Sequence, residues 1–215
     1  MLATFRESLV AVVGALTLAY TAWCFAGVMA WSLHLLLAGG LLTFLMAVVP
    51  WPGRRSGGDA APPDSQSAGK RRRRRGSRSG LGRLLRLPTF FLAAAFLGYL
   101  AIAAFNPAWE IASDSRGWWL SAVEPPLAAW LPTSVEAAYE PMNAWRIFNL
   151  HLAAFSLALG LRVGLTRRRS ALLVLWTFLL SATAMAVVAI VQQTTGAERV
   201  LWTYASENQN FWGTF

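Results

Sequence analysis

Apolar positions in this chain do not alternate with polar ones. They gather into long runs separated by short polar stretches. Five runs, at residues 9–29, 33–49, 88–105, 145–165 and 171–191, contain no Asp or Glu. A helix needs roughly 20 apolar residues to cross a hydrocarbon core. Backbone groups in lipid must be satisfied within the segment, and no barrel-like alternation is visible, so each run predicts a helix. The expected fold class is therefore all-α: a polytopic membrane protein with about five transmembrane helices. The first run is longer than the apolar core of a signal peptide and no small-x-small site ends it, which predicts a retained helix. Trp23 before Cys24 is too bulky for a lipoprotein cleavage site.

The loops between the runs differ in charge, and this sets the expected orientation. Residues 51–86 carry eleven Lys or Arg against Asp59 and Asp64. Arg167, Arg168 and Arg169 follow the fourth run, with Arg162 just inside its end. Residues 107–144 carry only Arg116 against Glu110, Asp114, Glu124, Glu136 and Glu140, and Arg199 near the C-terminus faces Glu198 and Glu207. Basic and acidic segments alternate with the helices, so one topology satisfies all of them. It has a cytoplasmic N-terminus and a periplasmic C-terminus. Tryptophans 31, 51, 109, 118, 119, 130, 145 and 202 fall near helix ends, where an aromatic belt would lie.

Composition refines this picture in one respect. Hydrophobic residues make up 56% and charged residues 13% of the 215, about half the charge of a soluble domain. The net charge of +9 equals the excess of basic over acidic residues in 51–86 alone. The rest of the chain is neutral overall, so the charge does not mark a nucleic-acid-binding fold. The expected organisation is a transmembrane hairpin over 1–50, a disordered basic cytoplasmic linker over 51–86, and a three-helix membrane unit over 87–215 with a periplasmic loop at 107–144. The linker is rich in Gly, Pro and Ser, and its run Arg71, Arg72, Arg73, Arg74 and Arg75 predicts contact with anionic lipid headgroups. The stretch from Leu81 to Leu87 predicts a short amphipathic turn at the interface, with Arg83 and Arg86 facing water.

Helix faces can be read from small residues spaced three and four apart, which let helices approach closely in lipid. This predicts packing faces of Ala94, Gly98 and Ala101 on the third helix. On the fourth they are Arg146, Asn149, Ala153, Ser156 and Gly160, and on the fifth Ala182, Ala186, Ala189 and Gln193. His34 and His151 are expected to be buried and hydrogen-bonded. No Cys/His cluster has metal-ligand spacing, and no nucleophile triad, Gly-rich phosphate loop or close carboxylate pair is present, so no catalytic residue, metal or cofactor is assigned. The outer acids read as a feature of a loop poor in Lys and Arg.

Short segments recur in a telling order. They are Trp118-Trp119-Leu120, Trp130-Leu131-Pro132-Thr133-Ser134 and Asn143-Ala144-Trp145-Arg146. Gln192-Gln193, Gly196, Leu201-Trp202 and Phe211-Trp212-Gly213-Thr214-Phe215 follow. Over residues 88–215 this set resembles the N-terminal part of bacterial O-antigen ligase and O-antigen polymerase-like membrane proteins. The resemblance implies a multi-pass protein of the bacterial inner membrane and a glycosyltransferase activity on its periplasmic face. That activity moves or polymerises glycans carried on undecaprenyl pyrophosphate, without a metal, in cell-surface polysaccharide biosynthesis. Arginines would neutralise the diphosphate and a base would activate the acceptor hydroxyl. In the family these groups lie on a large periplasmic loop and later helices, so this chain is expected to lack the catalytic half and to be inactive alone. Arg146 and Arg199 are the outer arginines expected to meet a lipid diphosphate. The alternative is a non-catalytic scaffold or assembly subunit whose basic linker binds lipid or a partner. A small transporter is disfavoured, since no run is broken by a Gly/Pro pair suggesting a midplane site.

The topology has a direct test. Reporter fusions at residues 60 and 168 are expected to report cytoplasm, and fusions at 125 and 205 periplasm. A periplasmic signal at 60 overturns the orientation.

Overall fold

The structure is a computed structural model. It describes residues 2–23, 30–49, 80–115, 117–138, 142–195, 199–200 and 204–205. Within these, α1 spans Leu2–Trp23, α2 Ala30–Val48, α3 Gly80–Leu84, α4 Pro88–Phe105, α5 Ala144–Gly164 and α6 Arg168–Thr194. Strands β1 (Pro107–Asp114), β2 (Gly117–Ala122) and β3 (Ser134–Glu136) lie between α4 and α5; β4 (Arg199–Val200) and β5 (Tyr204–Ala205) follow α6. All helices but α3 are long and apolar enough to cross a membrane.

Local signals explain most boundaries. Pro88 opens α4, where its missing N–H is no loss. Asn106 ends that helix because Pro107 follows it and disfavours the helical conformation at the residue before. Asn143 caps α5 through its side-chain oxygen, which accepts from the N–H of Arg146. The helix α1 starts at Leu2, seven residues before the apolar run, and takes Arg6 and Glu7 into its first turns. Both find partners on other elements, described below.

The centre of the bundle is the contact between α2 and α5. Ser32, Leu36, Thr43 and Ala47 are buried on one face of α2, and Ala153, Ser156, Leu157 and Gly160 on the facing side of α5. The approach is backbone to backbone. A Cβ on Gly40 would lie 2.6 Å from the carbonyl oxygen of Ala153, and one on Gly160 would lie 2.8 Å from the amide nitrogen of Phe44. On either side of this pair, α4 packs against α5 and α1 against α2. α6 packs chiefly on α1 rather than on its sequence neighbour α5, with Trp23 donating to Ser181 Oγ at 3.1 Å. The short α3 covers the end of α2. Its Leu84 joins Ala93, Leu159 and Val163 in one apolar cluster, while Arg83 and Arg86 stay exposed.

Charge is segregated along the bundle axis. Hydrogen bonds and contacts bring the start of α1, the end of α2, α3 and the α5–α6 connection to one end, with Arg6, Arg83, Arg86, Arg162 and Arg167–Arg169. The opposite end carries β1–β3 with Glu110, Asp114, Glu124 and Glu136. The sides between them are apolar, with Leu92, Leu16 and Leu180 each about two-thirds exposed. So much exposed hydrocarbon, on helices long enough to cross a membrane, suits a lipid environment.

Several expectations are corrected. The fold is mostly helical, not all-α. β1 pairs antiparallel with β2 and parallel with β3, in the order β2-β1-β3. The packing face expected on α5 is the one used, with Ala153, Ser156 and Gly160 all buried. Those expected on α4 and α6 are not. Ala94, Gly98, Ala182 and Ala186 are exposed, and the buried positions are Ala93 and Ala103 on α4 and Val174, Ser181, Met185 and Gln192 on α6. His34 is exposed rather than buried. His151 is half-buried, its Nδ1 2.8 Å from the carbonyl of Ile147 and its ring edge-on to Phe96.

The seam yields a paired test. Gly160→Leu forces side-chain atoms into the α2 backbone and is expected to cost roughly 3 kcal/mol, the upper end of overpacking penalties. Gly98→Leu meets open space and is expected to leave the detergent-solubilised thermal midpoint unchanged. Equal midpoints for the two variants would show that the seam does not hold the bundle together.

Candidate functional site

The acidic end is built around one buried polar side chain. Asn106, fully buried, follows directly on α4. Its amide nitrogen donates to the carbonyls of Ala128 at 3.0 Å and Pro132 at 3.3 Å, and its oxygen accepts from the N–H of Leu127 at 3.0 Å. Its own carbonyl accepts from Ser134 N–H at 3.4 Å. Ser134 Oγ then donates to the carbonyl of Ala103 at 2.7 Å, closing the last turn of α4. The proline-rich segment 125–132 has few backbone donors of its own, so Asn106 supplies the partners that hold it on the helix end. A second clasp is Asn143, which caps α5 and donates to Ala137 O at 2.8 Å. Phe105 and Trp145 meet edge to face at 4.7 Å between the two helix ends.

On this base stands the antiparallel β1–β2 pair, with Gly117 at a positive φ of 144°. Register places Trp109 opposite Ala122, Ile111 opposite Leu120 and Ser113 opposite Trp118, so those residues share one face. The other face carries Trp119, Ser121 and Glu110, with Ser121 Oγ donating to Glu110 at 3.1 Å. Glu136 on β3 is the register partner of Glu110. Two carboxylates far apart in sequence thus occupy neighbouring positions on adjacent strands. Both are exposed, which makes the row a hydrated acidic patch. Among the described residues of this end, Trp118 and Trp130 are the most exposed aromatic side chains.

Arg146, expected to meet a lipid diphosphate, lies in the first turn of α5 beside Asn143 and is half-buried. The backbone of Arg199 begins β4, which pairs with β5; its side chain lies outside the described residues, as do Arg71–Arg75, Cys24 and Arg116. The structure therefore does not bring Arg146 and Arg199 together within what it describes. Among the described residues no three His, Cys, Asp or Glu side chains gather as a metal site.

The basic end has its own buried polar group, Glu7, only 6% exposed. Its carboxylate accepts from the N–H groups of Thr166 at 3.1 Å and Arg167 at 2.6 Å, and from the hydroxyl of Thr166. Arg167 Nε stands 3.9 Å away. The acid is thus seated at the N-terminus of α6, where free N–H groups and the helix dipole favour negative charge. Its neighbour Arg6 donates from Nε to the carbonyl of Met46 at 2.9 Å and from its terminal nitrogen to that of Ala47, capping α2. Sequence reasoning missed Glu7, Arg6, Asn106 and Ser134. The available signals were an Arg-Glu pair just before the first apolar run and an Asn-Pro step directly after the third.

Comparison of the chain with protein-family models, with curated proteins and with solved structures finds no match. What the fold and its two ends define is a class: a mostly helical protein whose described residues include five helices long and apolar enough to cross a membrane, with a small aromatic sheet at its acidic end.

The Asn106 hub is testable. Asn106→Ala leaves two carbonyls and one N–H without their partner, at about 1–3 kcal/mol for each buried group left unsatisfied. Proteolysis within residues 123–133 is expected to accelerate while the helix content by circular dichroism stays constant. Unchanged proteolysis would show that the cap holds without this residue.

Proposed function

We propose that this chain is the N-terminal portion of an O-antigen ligase-like membrane protein of the bacterial inner membrane, which handles undecaprenyl-pyrophosphate-linked glycans in surface polysaccharide biosynthesis. The observation that carries this reading is the convergence of three of the resemblance's motifs. Trp118–Leu120 lies on β2. Trp130–Ser134 is the segment clasped by Asn106 and closes onto α4. Asn143–Arg146 starts α5 and is tied back to Ala137. Residues 26 positions apart in sequence meet at one end of the bundle. That end is poor in cations, as a periplasmic face is under the positive-inside rule. Arg146 then offers the cationic group that a lipid diphosphate needs, at the membrane boundary.

A second reading is favoured by the fate of the carboxylates. Glu7 is consumed as a helix-terminus ligand, and Glu110 and Glu136 lie in solvent. Neither arrangement is that of a base held against a substrate hydroxyl, and this suits a non-catalytic scaffold or assembly subunit.

One experiment separates the two. In the native host, Arg146→Ala is expected to lower glycan transfer about tenfold or more, the worth of one charge-assisted hydrogen bond. Chain level should be unchanged and carrier-linked glycan should accumulate. Normal transfer with Arg146→Ala, together with loss of a co-purifying protein on deletion of residues 56–80, would replace the transferase reading with the scaffold.

A further inference from the structure

We propose that the groove between α5 and α6 at the basic end is a binding site for one anionic phospholipid. It stands independently of the reading above. Because α6 packs on α1, the two helices diverge above their connection. They leave an open groove of about 560 Å³. Ala158 and Leu165 form one wall, Ala171 and Phe178 the other, and Leu18 of α1 lies at the floor. The walls span about two helical turns, roughly 10 Å. That depth suits the upper part of an acyl chain hanging from one leaflet and is too short for a long polyprenyl tail.

The mouth supplies the charge. Arg162 lines the groove and is exposed. Arg168 lies on the same row of α6 as Ala171, Leu175 and Phe178, at i, i+3, i+7 and i+10. Neither arginine has a hydrogen-bond or ion-pair partner among the described residues. Glu7 is the one carboxylate described at this end, and it is turned to Thr166 and Arg167. It leaves the charge of Arg162 and Arg168 uncompensated. Two unneutralised guanidinium groups over an apolar slot complement a phosphate joined to hydrocarbon. The same charges repel the chain's own linker, whose central run is Lys70–Arg75.

The test uses the full chain, purified in detergent and read by native mass spectrometry. Titration with phosphatidylglycerol is expected to give one retained lipid per chain, and phosphatidylcholine of the same acyl composition none at equal concentration. Arg162→Gln with Arg168→Gln is expected to weaken retention about thirtyfold, the loss of two cations at headgroup level. Ala171→Trp fills the slot and is expected to abolish retention with both arginines present. Thermal midpoints of these variants without lipid, equal to the parent, show that the fold is kept. Equal retention of the two phospholipids overturns the proposal, and so does unchanged binding by the double glutamine variant. Displacement of phosphatidylglycerol by undecaprenyl phosphate at lower concentration assigns the site to a polyprenyl carrier instead. A lipid-free dimer mass lost in Ala171→Trp assigns it to a second copy.

Discussion

The backbone contact between α2 and α5 is the constraint on which the rest of the bundle depends. Between helices in lipid there is little hydrophobic drive, since lipid tails are as apolar as leucine. Close packing and hydrogen bonds must supply the attraction instead. Gly40 against Ala153 and Gly160 against Phe44 allow a backbone approach that any side chain would block. Once these helices are in register, their neighbours have few places left. α1 lies along α2, α4 takes the free flank of α5, and α3 closes over the end of α2 with Leu84.

Each end is then fixed by one buried polar side chain that binds backbone from a distant segment. Asn106 binds the carbonyls and N–H of a proline-rich loop, and Glu7 binds the N–H groups that open α6. Both side chains are buried, so an unmade bond would leave each with the desolvation cost of its own polar group. Neutral amide suits the end that offers both donors and acceptors. Carboxylate suits the α5–α6 connection, which offers it donors beside a positive helix terminus.

How far the sequence made this legible depends on contrast. The third to fifth apolar runs fall within a few residues of α4, α5 and α6, because length and polarity alone mark them. The first begins seven residues inside α1, because the apolar run starts only after Arg6 and Glu7, which are paired across the bundle. On α5, Asn149 and Ser156 distinguish one face, and that face is the buried one. On α4 every face is small or apolar, so spacing of alanines carried no information about which side meets a neighbour. On α6 the buried side is marked by Ser181 and Gln192 and not by the alanine stripe. The sheet had a signal that the proline content masked. Trp109, Ile111 and Ser113, then Trp118 and Leu120, alternate on either side of a turn ending in Gly117. The pairing of Glu110 with Glu136 follows from strand β3, whose three residues are too short to read from pattern.

The separation of α5 from α6 is the least expected consequence of these contacts. Helices joined by three residues ordinarily pack as antiparallel neighbours. Here Glu7 holds the connection itself, residues 166 and 167, against α1. With the connection tethered there, α6 follows α1, and Val174 buries against Ala11 and Ala15. The same tether uses the one carboxylate described at this end on backbone N–H groups. Arg162, Arg168 and Arg169 therefore keep their positive field at this end of the bundle. A single glutamate so decides two properties at once: which helix α6 packs on, and the sign of the charge presented beside the gap that packing opens.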